Sequence, residues 1–319
     1  MRGLGRHHLG EQDLGGPVVL RVEEQLSALV ALGQVQFGPQ LLFHAPRNAP
    51  GRPCIPRELD DNGTVSYLLD NRRTEAGRRF AAISELFDAT TFRHLAATGI
   101  APDWRCWEVG AGSPAVAGWL AARCAYVLAT DIDTTWLGGD QPFEVRRHDV
   151  AADPPPGGDF DLIHARLVLV HVPERAAALA SLVDALRPGG WLVVEDADPA
   201  LQPLSCPDEA GPAQELANRI RRGFRTLLAR RGAELDYGRK LPRLLRDAGL
   251  TQVRAEAWFP LTAPANAVLE RATVEQLRGQ LVDAGLATED EIAEHLTNVD
   301  NGRLDLAPAP LISATGRRS

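Results

Sequence analysis

Lysine is almost absent from this 319-residue chain: of 34 basic residues, Lys240 alone is not arginine. That bias points to a GC-rich coding sequence rather than to a mode of binding. Positive charge is also in deficit, with 42 acidic residues and a net charge of −8. The expectation is therefore no nucleic-acid partner. Long apolar runs are missing, and none approaches the roughly 20 residues of a membrane-spanning helix, so no membrane partner is expected. Cysteine is scarce: Cys54, Cys106, Cys124 and Cys206 lack metal-ligand spacing. They read as free thiols of a cytoplasmic protein, with no metal site. No charged start, apolar core and small-residue cleavage site follow one another, which argues against a secretory signal.

What is present suffices for a large core, with 45% hydrophobic and 24% charged residues. Residues 1–56 are the least regular part. Residues 18–35 fit one amphipathic helix, with Val22, Leu26, Leu29 and Val30 as its stripe, but Pro46, Pro50, Pro53 and Pro56 follow. The whole stretch reads as a disordered extension. Residues 57–100 are helical. Ala76, Phe80, Ile83, Leu86 and Phe87 mark one helix over 74–87, and Asp88 reads as the cap of a second, short helix through Leu95.

From residue 101 strands and helices alternate, which implies a parallel sheet with right-handed crossovers. Strands are expected at 105–109, 125–130, 143–147, 160–165 and 191–195, and a helix at 174–186 stopped by Pro188-Gly189-Gly190. Past Asp198 the alternation breaks. A helix begins near Leu216, with Ile220, Phe224, Leu227 and Leu228 on one face and Arg219, Arg221, Arg222, Arg225, Arg230 and Arg231 on the other. On an acidic protein that basic face reads as solvated. A helix at 241–248, a strand at 251–259, helices at 268–281 and 290–296 and a strand at 311–315 complete the chain.

The most informative stretch is Trp107-Glu108-Val109-Gly110-Ala111-Gly112-Ser113-Pro114, with Asp131 at the end of the following apolar run. A strand, a glycine turn, a helix start and an acid about 20 residues on is a layout for holding a nucleoside. A dinucleotide fingerprint would place a third glycine at position 115, which is Ala115; instead an acid, Glu108, sits two residues before Gly110.

Glu-x-Gly-x-Gly resembles motif I of the class I S-adenosylmethionine (SAM) dependent methyltransferases. Four further ordered blocks extend the likeness: residues 129–133, His148-Asp149-Val150, residues 160–166 and residues 186–195. The resemblance implies a Rossmann-like α/β fold with a seven-stranded, mostly parallel sheet. It makes residues 57–100 a helical lid and 101–319 the SAM domain, with helical insertions at about 208–240 and 264–300 forming a cap. Its implied roles are specific. Gly110 and Gly112 let backbone pass beneath the methionine part and ribose, and Asp131 accepts from both ribose hydroxyls. Ile132 lies on the adenine face, Asp149 accepts from the adenine amino group, and Glu108 and Arg166 lie near the methionine end. Ala111, His148 and Val150 join the same cofactor-binding set.

Two departures from the pattern are Pro114, where many relatives have glycine, and only 11 residues between Asp131 and Phe143. The latter leaves room for no more than a turn as second crossover. For catalysis, His171 past the fourth strand is the candidate general base. His164 reads as packed, His148 as orienting its loop, and Trp136 and Trp258 as candidates to flank an aromatic acceptor. The branch resembled is that of ubiquinone and menaquinone biosynthesis and bacterial natural-product enzymes. It implies methyl transfer to oxygen or carbon of a small acceptor in secondary metabolism. Two alternatives keep the fold: a non-methylating reaction (cyclisation, decarboxylation or hydroxylation) or a non-enzymatic scaffold. A homodimer stays open.

Overall fold

A computed structural model describes residues 68–319. The extension over 1–56, its expected helix at 18–35 and Cys54 lie outside the described residues. Seven strands form one sheet in the order β3-β2-β1-β4-β5-β7-β6. In chain order they are β1 (Arg105–Val109), β2 (Tyr126–Asp131), β3 (Glu144–Arg147), β4 (Phe160–Arg166), β5 (Leu186–Ala197), β6 (Thr251–Trp258) and β7 (Leu311–Arg317). The first five run parallel, and β7 lies antiparallel between β5 and β6. The chain winds outward from β1 to β3, then returns to place β4 on the other side of β1. A crevice opens where the order reverses, outside the carboxyl ends of β1 and β4, which is where open α/β sheets hold ligands.

The helices are α1 (Thr74–Ala96), α2 (Ala115–Ala121), α3 (Arg175–Ala185), α4 (Pro212–Arg230), α5 (Leu241–Asp247), α6 (Pro264–Asp283) and α7 (Glu289–Asp300). Between β2 and β3 there is only a 3-10 turn, Thr135–Leu137, as the short spacing requires. Pro114 stands at the N-cap of α2 with φ −75°, where its missing N–H leaves no helical bond unmade.

Two boundaries differ from the sequence reading. The expected pair of helices before β1 is one continuous 23-residue helix, α1. Asp88 caps nothing; its side chain faces Arg166 instead, so its polar group has a tertiary rather than a local partner. Helix α3 ends at Ala185, and β5 already begins at Leu186. Pro188-Gly189-Gly190 lies inside that strand, where pairing with β4 shifts register and Gly189 adopts φ +79°.

The core is divided. Under the sheet, Trp107, Leu128, Ile163, Leu182 and Leu192 are each at most 1% exposed. A second cluster joins Ile220, Leu227 and Leu228 of α4 to Val274, Leu277 and Leu281 of α6 and Ile292 of α7. That cluster makes the two insertions one packed body. Helix α7 is fixed at its start by a capping box in which Thr288 and Glu291 satisfy each other's backbone N–H. Since Leu277 is fully buried at the centre of the cluster, Leu277→Ala is expected to lower unfolding free energy by about 2–5 kcal/mol, read by urea denaturation.

Candidate active site

The turn after β1 depends on its glycines. Gly110 and Gly112 have φ +60° and +59°, a region that side chains with a Cβ rarely adopt. A Cβ on Gly110 would overlap Val168, and one on Gly112 would come within 2.8 Å of Phe80 Cε1. Both glycines border a cavity of about 690 Å³ at the carboxyl ends of the strands. The same cavity is lined by Ala111, Asp131, Ile132, His148, Asp149, Val150, Arg166 and His171. Ten of the eleven site residues expected from sequence therefore meet around one space.

The exception is Glu108. It is 2% exposed and does not reach the cavity, because its Oε2 pairs with Nδ1 of His164 at 2.6 Å. The other ring nitrogen of His164 faces Glu195 Oε2 at 3.3 Å. An imidazole with a carboxylate at each nitrogen is best satisfied by carrying both protons. Burial opposes the charge most strongly, yet the attraction of Glu108 and Glu195 outweighs it and raises the His164 pKa to about 9. Glu195 is itself held well below the usual carboxylate range, since bonds from His164 and His94 overcome its burial. Its Oε1 also accepts from Ser313 Oγ at 2.6 Å and faces His94 Nδ1 at 3.1 Å.

This chain of charges reaches the cavity wall through Thr91. The Thr91 hydroxyl donates to Glu195 and accepts from Arg166 Nη1 at 2.9 Å, while Arg166 also pairs with Asp88 at 2.8 Å. Arg166 thus lines the cavity from a fixed position. His164 is packed, as its place in β4 suggested, but as an ion and not as a neutral filler.

Asp131 has two duties. Its Oδ2 accepts from Gly112 N–H and its Oδ1 from Asp133 N–H, both at 2.9 Å. Each oxygen keeps a lone pair for a ligand. Burial raises its pKa, and the two backbone N–H groups oppose that shift. Asp149 braces its own turn through Ala151 N–H at 2.9 Å. His148 Nε2 meets Pro154 O at 2.9 Å, which orients the loop as expected. Ile132 is 45% exposed, unusual for isoleucine, and offers an apolar face to the cavity.

His171 also lines the cavity. Burial, then the Arg79 and Arg175 cations, pull its pKa down to about 4, so it is a neutral imidazole near pH 7. The expected aromatic flank is different from the sequence reading. Trp136 lies over Gly77 and donates to Asn71 O, and Trp258 donates to Leu86 O; neither borders the cavity. Phe80, Phe87 and Phe224 do. So do Arg221 and Arg225 of α4 and Arg231 just past its end, which sequence reasoning assigned to solvent.

Residues 107–194 match the family model described as a methyltransferase domain. The chain is also 32% identical over 206 residues to Methyltransferase str2 of Strobilurus tenacellus, covering 60% of this chain and 70% of that protein. The chain belongs to the class I SAM-dependent methyltransferases. A second protein of the same organism, Methyltransferase str3, is 44% identical over 45 residues, 14% of this chain and 16% of that one. Among solved structures, phosphoethanolamine N-methyltransferase 2 of Haemonchus contortus in complex with SAM is 14% identical with a TM-score of 0.49. That match covers 79% of this chain and 60% of the other.

For this methyltransferase the buried His164 ion gives a pH signature with a definite sign. A folded pKa near 9 against 6.5 unfolded means that its stabilisation is complete below pH 6.5 and is lost as pH rises through 9. The shift corresponds to about 3 kcal/mol. In histidine NMR titrations His164 is expected to show no midpoint near 6.5 and one near 9, and Glu108→Gln is expected to move that midpoint down.

Proposed function

We propose that this methyltransferase moves the methyl group of SAM to an oxygen or carbon of a small, partly aromatic or polyketide-like acceptor, in secondary metabolism. One observation carries the reading: the glycine turn, Asp131, Ile132, Asp149 and His171 face a single cavity of about 690 Å³. That volume lies within the roughly 300–1,000 Å³ of small-molecule sites. A macromolecular acceptor would call for an open groove instead.

The residues fit the cofactor. Backbone free of Cβ atoms at Gly110 and Gly112 admits a ligand at close range. Asp131 can accept from a ribose diol with its remaining lone pairs, Ile132 offers a face for adenine, and Asp149 an acceptor for its amino group. When bound, SAM supplies a methyl carbon on a sulfonium, whose bond to sulfur breaks as the acceptor lone pair forms its own and leaves a neutral thioether. The chain's part is alignment in a dry space, which can contribute several kcal/mol without a catalytic side chain. Leu167, Val168 and Val170 wall the cavity with apolar surface beside His171. His171 accepts a hydrogen bond from the acceptor and orients it. A base of pKa about 4 does not deprotonate the acceptor beforehand: an acidic acceptor enters already ionised, and a neutral one, strongly acidic once methylated, would release its proton then, to His171 and on to water.

Asp131→Asn is expected to weaken SAM about ten- to a hundredfold by calorimetry, by removing charge-assisted bonds to the ribose. It also replaces an oxygen that accepts a backbone N–H with an amide that cannot. Unfolding free energy is therefore expected to drop by about 1–3 kcal/mol, although a carboxylate facing only a ligand would leave folding untouched. Unchanged SAM affinity in the folded variant would displace the cofactor from this turn.

His171→Gln is expected to keep SAM affinity and to lower kcat less than tenfold, whereas a true general base supplies about 10²–10⁴. The rate is expected to be flat from pH 6 to 9 and to lose the His171 contribution only as pH falls through about 4. A thousandfold loss in a variant that still binds SAM would make His171 a catalytic base.

A further inference from the structure

The stripe of α4 that faces the cavity is not apolar. Arg221, Phe224, Arg225 and Leu228 recur at three- and four-residue spacing, so one helical face carries them all. The two cations are unequal. Arg221 Nη2 donates to Glu270 Oε2 at 3.0 Å and to Ser205 Oγ at 3.1 Å. Glu270 is firmly ionised: burial opposes its charge, but Arg221 and His295 bring its pKa down to about 2. Arg221 is thus answered by a buried carboxylate.

Arg225 is not. Its Nε is buried without a hydrogen-bond partner among the described residues. Burial and the neighbouring Arg221 cation both depress its pKa, and no anion among the described residues offsets them. Arg225 is only half-buried, but its one buried nitrogen lacks an acceptor, and an oxyanion entering the cavity would supply one together with the missing counter-charge. The chain as a whole carries −8 and does not draw anions by its long-range field. Whatever selects an anion here acts locally.

We propose that Arg225 anchors an anionic group of the methyl acceptor, so that the acceptor is a small molecule bearing a carboxylate or a phosphate. The planar guanidinium matches either oxyanion in a two-point contact. Phe224, Leu228 and Leu269 line the same cavity and supply apolar surface for the rest of the molecule. Glu270 neutralises Arg221, and Arg225, one turn on along the same face, is left to respond to ligand charge. This inference rests on the cavity being the methyl-transfer site, and it narrows the acceptor class within that reading.

The test uses the full chain saturated with S-adenosylhomocysteine, whose binding is measured first. Benzoate, phenyl phosphate and the uncharged benzamide are then titrated by calorimetry. At least one anion is expected to bind about tenfold more tightly than benzamide. Arg225→Gln is expected to abolish that preference, and Arg225→Lys to keep part of it, with affinity for S-adenosylhomocysteine unchanged in both. A larger response to benzoate assigns a carboxylate, and a larger response to phenyl phosphate assigns a phosphate. Equal binding of benzamide, no anion binding up to tens of millimolar, or an undiminished preference in Arg225→Gln overturns the proposal. Failure of the methyltransferase reading shows separately, as no binding of S-adenosylhomocysteine to the unmodified chain; the anion titration is then read on the free chain.

Discussion

A buried ion held between two carboxylates fixes the geometry on which this molecule depends. Glu108 on β1 is the register partner of His164 on β4, and Glu195 on β5 stands two residues beyond Val193, the partner of His164 on that side, at the centre of the sheet. Removing His164 would strand the Glu108 carboxylate without its cation at 2% exposure, a change worth about 3–5 kcal/mol. The same group reaches outward through Thr91 and His94 to α1 and through Ser313 to β7. It therefore fastens the helix that covers the crevice to the strands that form it. Arg166 takes its place on the cavity wall from this frame, not from solvent.

The cavity has two chemistries on two sets of elements. Strand ends supply glycine backbone and carboxylates, suited to hydroxyls and an amino group. The α4 wall supplies arginines and aromatic or aliphatic surface. Burial first, and then the Arg79 and Arg175 cations, keep His171 neutral. A site so divided positions its reactants and asks little of any one side chain in proton transfer. The packed second core of α4, α6 and α7 gives that arginine wall a rigid mounting, since Leu227 and Leu228 lie on the same helix as Arg225 and are buried against α6.

Much of this was legible in the residues. The glycine turn, Asp131 and the alternating strands identify the crevice because backbone conformation and burial on both faces leave strong local traces. The missing second crossover helix follows from the 11 residues available between Asp131 and Phe143. Other features left no such trace. Helix α1 runs through Asp88 because a tertiary partner, Arg166, satisfies the carboxylate that by itself resembles a cap. Glu108 faces His164 rather than the cavity because strand pairing decides which way a side chain points, and pairing is nonlocal. The arginines of α4 looked solvated because their apolar counterparts at 216, 220 and 227 announced a core; only the packing of α6 against that helix shows that 221 and 225 turn inward. Spacing at 221, 224, 225 and 228 held the signal, but nothing in sequence says which side of a doubly faced helix meets a cavity.

The central claim is that one cavity holds the nucleoside at the Gly110–Gly112 turn and turns its reactive sulfur toward the α4 wall. A crystal structure of the complex with S-adenosylhomocysteine tests it directly. The account predicts ribose hydroxyls on Asp131, adenine against Ile132 and within reach of Asp149, and sulfur open to the space bounded by His171 and Arg225. A nucleoside bound away from the Gly110–Gly112 turn, or a sulfur facing out of the cavity, would contradict it.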